Sequence, residues 1–366
     1  MEFVCHMDLW EYLADAEKNI VMYGMGNGAD KILAVCRQKG IEVKDFFASD
    51  GFVRGHSFHG KQVLSWGEIK QKYGTENLIV LLSFGTSRPE VLENIDRIAT
   101  EAELYAPDVP AFGNGVFDRA FYEANRKEIE AAYALLSDDI SRSIFENVLR
   151  FKLTGKPQYL RNAENDPEEV MRELIHPEQL TAYADLGAYN GDTVRGLLSH
   201  ASPSLQTVWA MEPDARNYKK LQAYSETEQR ARIIAVQAGA WSCEDTLFFD
   251  ASGNRNASYV TNRSDTLDCP AKLSSIAALP LDSVLRGSRV DYIKYDVEGA
   301  EKEALLGSVA SIRAHRPLLL VSLYHRNEDI FSLPLLVHEL FPTYRHFAIR
   351  RFAGIPAWDL NLYVWK

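Results

Sequence analysis

The stretch Ala182-Tyr183-Ala184-Asp185-Leu186-Gly187-Ala188-Tyr189-Asn190-Gly191-Asp192-Thr193 constrains this chain most. A short apolar run ends on Asp185, two glycines follow, and Thr193-Val194-Arg195-Gly196-Leu197-Leu198 continues as a helix. Strand, tight turn and helix N-terminus in that order let the backbone approach a nucleotide-like ligand at the carboxyl end of a parallel strand. The spacing Asp185-x-Gly187-x-x-x-Gly191 departs from the G-x-G-x-x-G dinucleotide fingerprint, because its turn is longer and an acid precedes it. An acid there suits a ligand that brings positive charge better than one that brings a pyrophosphate. A second acid, Glu212, ends the next strand, Thr207-Val208-Trp209-Ala210-Met211-Glu212-Pro213, where a doubly wound fold holds two ribose hydroxyls.

A chain of 366 residues suits two domains, each large enough to bury its own interior. The net charge of −11 argues against a protein that grips nucleic acid through its phosphates. Cys5, Cys36, Cys243 and Cys269 lie far apart, without C-x-x-C spacing, and read as reduced thiols rather than a zinc or disulfide framework. Glu2, His6, Asp8 and Glu11 stand where a signal peptide would need a basic start and an apolar core. No apolar run approaches the ~18 residues of a membrane span. A cytoplasmic protein without membrane segments is expected.

Near the N-terminus Asn19-Ile20-Val21-Met22-Tyr23 reads as a buried strand, Gly24-Met25-Gly26-Asn27-Gly28-Ala29 fits G-x-G-x-x-[GA], and Lys31 to Cys36 starts a helix. Glu42 to Asp50 supplies a second strand with an acid at its end, and Asn77 to Gly85 a third, followed by a helix from Arg88. Residues 1–110 therefore read as a small Rossmann-like domain. A glycine-rich first turn is also required for close helix-strand packing, so the fingerprint alone does not establish a nucleotide. Pro107, Pro110, Gly113 and Gly115 mark a boundary. Apolar residues at helical spacing from Phe117 to Lys152, with a capping signal at Ser137-Asp138-Asp139, predict a helical connector over 111–175 that lies against the C-terminal domain.

From Thr181 onward strands alternate with helices. Arg232 to Trp241 reads as a third strand of the second domain and Asp291-Tyr292-Ile293-Lys294-Tyr295-Asp296 as a fourth, followed by Val297-Glu298-Gly299-Ala300-Glu301 and a helix. Pro317 to Tyr324, almost continuously apolar, is a fifth, buried on both faces. Tyr344–Phe352 and Leu360–Trp365 close the sheet as an antiparallel pair. The fold class is α/β, with two Rossmann-like doubly wound domains joined by a helical connector.

On these residues the C-terminal half resembles, over about residues 180–325, an FkbM-family S-adenosylmethionine-dependent methyltransferase, a class I enzyme with a seven-stranded sheet, and the domain is expected to span 176–366. The matching pieces are Asp185 to Thr193, Ala210-Met211-Glu212-Pro213-Asp214, Leu281-Asp282-Ser283-Val284, and a D-x-I-K-x-D-V-E-G-A-E block from Asp291 to Glu301. The resemblance implies that Asp185, Gly187 and Gly191 shape the methionine end of a S-adenosyl-L-methionine pocket, together with Ala188, Asn190 and Thr193. Glu212, beside Pro213, would hold the ribose, Gln237 and Ala238 would flank the adenine, and Asp296 would face the methyl group.

Methyl transfer is an in-line displacement at an activated carbon, so the protein chiefly holds a nucleophile near attack distance and excludes water. Where the acceptor is a hydroxyl, a carboxylate or imidazole takes its proton, and Asp296, Glu298 and His325 are the candidates. Glu298 and Glu301 also suit the first turn of a helix, and His325 with Arg326 and Asp329 also suits a surface loop. Asp296, Glu298, His325 and Asp329 contain the donor types of a divalent metal site, but nothing in the sequence fixes their geometry and no metal is assigned. The expected activity is O-methylation of a small-molecule or glycan-type hydroxyl, with no nucleic-acid or membrane partner and a homo-oligomer left open. One competing reading makes the N-terminal domain a nucleotide or nucleotide-sugar binding module. Another, an NAD-dependent oxidoreductase, lacks a Tyr-x-x-x-Lys pair or a His beside a substrate-binding Arg.

Overall fold

Apolar runs become the inner strands of two separate sheets, one parallel and one mixed, in the computed structural model, which describes residues 5–49, 55–201, 203–250, 259–260 and 273–366. Asp50 and Cys269 lie outside the described residues. The first sheet holds β1 (Asn19–Tyr23), β2 (Val43–Ala48), β3 (Leu64–Ser65), β4 (Leu78–Leu82) and β5 (Glu103–Tyr105) in the order β3-β2-β1-β4-β5, all parallel. The strand order reverses at β1, the Rossmann switch point. Helix α1 (Asn27–Gln38) leaves directly from it, burying Ala29, Ile32, Leu33 and Cys36 at helical spacing.

The connector is helical, as its periodicity predicts, and breaks where its capping signal stands. Helices Arg119–Ala124 and Arg126–Leu135 precede α2 (Asp139–Thr154), whose N-cap Asp138 accepts the Ser141 N–H. Gly155 ends α2 in the left-handed conformation, φ 64°.

The second sheet comprises β6 (Ala182–Leu186), β7 (Thr207–Met211), β8 (Arg232–Val236), β9 (Tyr292–Tyr295), β10 (Leu318–Ser322), β11 (His346–Arg351) and β12 (Leu360–Trp365). Its order is β8-β7-β6-β9-β10-β12-β11, parallel as far as β10, with β12 antiparallel to both neighbours. Helices α3 (Asp192–His200), α4 (Ala215–Thr227), α5 (Glu301–Leu306) and α6 (Asp329–Leu340) accompany it. The connector belongs physically to this domain, because it seals the β11 edge. Ser137 N–H donates to the Phe347 carbonyl at 2.9 Å, and the Ser137 and Ser141 hydroxyls accept from Phe347 and Ile349 N–H at 2.8 and 2.9 Å. An edge strand that would otherwise expose unpaired backbone is thereby satisfied.

One feature differs from the sequence expectation. The strand read as Arg232–Trp241 stops at Val236, where the Ala238 N–H turns back onto the Val236 carbonyl. Gly239–Ala240 then starts a separate four-stranded sheet with Asp245–Asp250, Tyr259–Val260 and Leu273–Leu279.

The N-terminal sheet is tied to the second domain by backbone pairing between Thr86 and Ile355, with bonds of 2.8 and 2.9 Å. Trp358 packs over Gly85 so closely that a Cβ there would lie 2.1 Å from its ring. No helix among the described residues is long and apolar enough to cross a membrane.

Candidate functional site

The carboxyl ends of β6, β7, β8 and β9 lie side by side, and they carry most of the residues expected to hold a nucleoside. Beyond β6, Gly187 and Ala188 donate their N–H groups to the Met211 carbonyl at 3.0 and 2.9 Å, tying the glycine turn to β7. Gly187 has φ +86°, and a Cβ on it would meet the Asp296 carbonyl at 1.9 Å, so the close approach of the β9 exit excludes any side chain. Gly191 caps α3, and Asn190 accepts from Arg195 across the first turn. Glu212, beyond β7, is buried and accepts the N–H groups of Tyr189 and Asp214 at 2.9 and 2.8 Å. Burial pushes its carboxyl up to about 7. Pro213 follows it, and Gln237, exposed, and Ala238, buried, stand at the end of β8.

Asp185 has a different place. It has no exposed surface; the Thr193 hydroxyl donates to it, and Lys294, its register partner on β9, reaches it at 3.5 Å. The same ammonium lies 3.2 Å from Asp296. Asp185 therefore supports the turn from behind, as the counter-ion of a buried lysine that two carboxylates share.

The exits of β9 and β10 bring the three candidate bases together. Val297 and Gly299 N–H groups both donate to Glu301 Oε1, at 3.0 and 3.4 Å, so the turn wraps around this buried carboxylate. The wrapping forces Glu298 into the left-handed region at φ 55°, a conformation that costs a glutamate of order 1–3 kcal/mol. His325, 1% exposed, follows β10. Its Nδ1 lies 2.8 Å from Glu301 Oε1 but off the N–H axis, an ionic contact without the line of a hydrogen bond. Its Nε2 faces Asp296 at 3.6 Å and Glu298 at 3.7 Å.

These neighbours set three different proton affinities. Burial opposes the His325 charge, yet Glu301, Asp296 and Glu298 outweigh it and raise the imidazole to about 9. Burial also works against the Asp296 anion, but Lys294, His325 and the Tyr324 hydroxyl, 2.8 Å away, hold it near about 2. Glu298 keeps 47% of its side-chain surface at the mouth of the crevice while protein crowds its inner side. That crowding, reinforced by Asp296 and Glu301, raises it to about 7. The resting cluster is thus an imidazolium, a locked carboxylate and a carboxylate that exchanges its proton near neutrality.

Asp185, Asp296, Glu298, Glu301 and Asp329 stand around these exits, and among the described residues Lys294 and His325 are their only ion-pair partners. Burial and the Glu301 carboxylate push the Asp329 carboxyl up to about 8, so it adds little negative charge to the group near neutrality. Glu301, His325 and Asp329 also place donor atoms within 4.8 Å of one another, all buried behind His325 rather than on the open side.

Residues 185–352 match the family described as methyltransferase FkbM domain. The match begins at Asp185, near the end of β6, and ends at Phe352, just beyond β11. The crystal structure of methyltransferase FkbM from Methylobacillus flagellatus KT is 20% identical, covers 96% of this chain and 90% of its own, and superposes with a TM-score of 0.70. Its fold therefore spans both domains and the connector. More distant are Aeropyrum pernix fibrillarin in complex with S-adenosyl-L-methionine (12% identity, 52% of this chain and 68% of that one, TM-score 0.32) and a SAM-dependent methyltransferase from Aquifex aeolicus (13%, 63% and 98%, TM-score 0.31). A comparison with curated protein sequences finds no match.

The second domain opens beside Glu298 into a cavity of about 210 Å³ lined by Phe112, Gly113, Trp241, Glu298, Gly299, Ala300 and Arg326. Its wall is built from the connector: Phe112 N–H donates to the His325 carbonyl at 2.9 Å, and its ring meets the imidazole edge to face at 5.8 Å. Lys31 of α1 holds this wall from the N-terminal domain, donating to the Pro110 and Ala111 carbonyls at 2.9 and 2.7 Å. Sequence reading gave Phe112 and Tyr324 no part in the site, and it left Trp241 between packing and lining the cofactor; Phe112 comes from the connector, Trp241 from the inserted sheet, and Tyr324 and Arg326 from the β10 exit. A larger cavity of about 910 Å³ runs along β7 and β8, from Thr181, Gln206 and Arg232 at their amino-terminal ends to Val236 at the end of β8, with Leu279 and Arg289 on its other side.

Proposed function

We propose that the chain is an S-adenosylmethionine-dependent O-methyltransferase acting on a hydroxyl of a small-molecule or glycan-type acceptor. The observation that carries this reading is Glu298: a strained, mouth-facing carboxylate of near-neutral proton affinity, beside a cavity that admits an acceptor. The cofactor suits the residues present, since the turn 187–191 and Glu212 follow the nucleoside pattern. S-adenosylmethionine supplies an electrophilic methyl group on a sulfonium.

The chain's own residues supply the rest. Glu212 offers the carboxylate for ribose hydroxyls, with Gln237 and Ala238 at the adenine side. Asp296, fixed by Lys294 and Tyr324, keeps a constant negative charge at the end of β9. Glu298 accepts the acceptor's proton as the hydroxyl attacks, while the His325 imidazolium beneath it stabilises the carboxylate form needed for that task. Phe112 and Trp241 wall the cavity and help to exclude water.

The test is calorimetric binding of S-adenosylhomocysteine, followed by S-adenosylhomocysteine release from S-adenosylmethionine across a panel of hydroxyl acceptors. Binding with turnover on a hydroxyl supports the reading. Turnover confined to amines or carbon nucleophiles overturns it.

A further inference from the structure

Glu298 and Arg326 line the same small cavity, carry opposite charges, and form no ion pair with each other. Arg326 is half-buried and pinned: its Nε donates to the Gly299 carbonyl at 2.9 Å, on the very turn that presents Glu298. Although Glu298 lines the same cavity and Asp329 accepts the Arg326 backbone N–H, the guanidinium makes no ion pair among the described residues, so its terminal nitrogens remain available to a ligand. A guanidinium held by one nitrogen, with its fork free in a walled cavity, is suited to a planar or tetrahedral anion.

Resting on the methyl-transfer reading above, we propose that the acceptor bears an anionic group, a carboxylate or a phosphate, close to the hydroxyl that is methylated. The anion pairs with Arg326 while the hydroxyl faces Glu298, and the aromatic walls of Phe112 and Trp241 enclose the ring-sized unit between them. Uronic acids and phosphorylated sugars share this chemistry. The arrangement also selects. A neutral acceptor leaves the guanidinium without a partner in a narrow cavity, whereas an anionic one bridges both charges.

The experiment measures binding of three sugars to the S-adenosylhomocysteine-saturated protein by calorimetry: methyl glucoside, methyl glucuronide and glucose 6-phosphate. At least one charged sugar is expected to bind tenfold or more tighter than the neutral one, and which of the two does so separates carboxylate from phosphate recognition. Arg326→Gln removes the preference, and Arg326→Lys, which keeps the charge but not the fork, retains part of it. S-adenosylhomocysteine affinity, unchanged in both variants, certifies folding. Equal binding of neutral and charged sugars, no binding of either charged sugar, or a preference that survives Arg326→Gln overturns the proposal. Failure of the wild-type protein to bind S-adenosylhomocysteine strikes instead at the methyl-transfer reading.

Discussion

Both glycine turns of this chain leave an interior parallel strand of a sheet and run into a helix, but their surroundings differ in kind. At the N-terminal turn, a Cβ on Gly28 would lie 2.2 Å from the Ser83 carbonyl, and one on Gly24 would lie 2.6 Å from the Phe84 ring. These glycines serve the contact of β1 and α1 with the exit of β4. At the C-terminal turn, Gly187 allows a similar contact with the exit of β9, but the neighbouring strand ends also deliver Glu212, Asp296, Glu298 and His325. The local motif is therefore a packing solution common to both sheets. Chemistry is added by what adjacent strands carry at the same end.

The sharpest way to break this comparison is to remove the carboxylate proposed as proton acceptor. Glu298→Gln keeps the size of the side chain and removes its charge, so turnover is expected to fall by roughly two to four decades while S-adenosylhomocysteine affinity stays within a few-fold. The wild-type kcat/KM should rise with pH through about 7, where burial places the Glu298 carboxyl, because the protonated form below that pH accepts no proton. The variant should lack this limb. If Asp296→Asn abolishes turnover and Glu298→Gln does not, the locked carboxylate is the base.

The next effect concerns the nucleoside. Glu212→Ala removes an acceptor at the end of β7, and losing a charge-assisted bond costs about 1.5–3 kcal/mol, or one to two decades in S-adenosylhomocysteine affinity. Unchanged affinity in a folded variant would remove the ribose assignment.

The sequence made the sheets, the turns and the acids at the strand ends readable, because each is a local pattern: an apolar run, a glycine pair, a terminal carboxylate. Asp185 shows where local reading ends. Its position just before the turn suggests a ligand contact, but register places Lys294 directly opposite, and that pairing is settled between strands 109 residues apart. Glu301 shows the same limit from the other side. As a residue in a first helical turn it looks like a helix-dipole acid, whereas the folded turn uses it to hold Val297, Gly299 and His325. The wall of the small cavity was hidden for a third reason, since Phe112, Trp241 and Arg326 meet only once connector, inserted sheet and β10 exit have assembled.

A smaller effect sharpens the role of the N-terminal domain. Lys31→Met removes the two bonds that hold the Pro110-Ala111 segment next to Phe112. At about 0.5–1.5 kcal/mol for a typical bond, acceptor KM should rise by about threefold to tenfold, with S-adenosylhomocysteine affinity unaltered. A change in cofactor affinity instead would show that the two sheets communicate through the connector.

The smallest effect on ligands should come from the N-terminal fingerprint itself. Gly26 caps α1 at φ +103°, with no atom within 4 Å of where a Cβ would lie. Gly26→Ala therefore meets no clash and carries only backbone strain, about 1–3 kcal/mol, which should lower Tm by a few degrees. Gly28→Ala drives a Cβ into the Ser83 carbonyl and should lower it further. If these glycines exist for packing, stability falls in both variants and S-adenosylhomocysteine affinity stays within about twofold, because the strand ends that carry Glu212 and Asp296 belong to the other sheet. A large loss of affinity in a Gly26→Ala protein of unaltered Tm would mean that the N-terminal turn acts on the ligand, and the division between a packing turn and a chemical turn would fail.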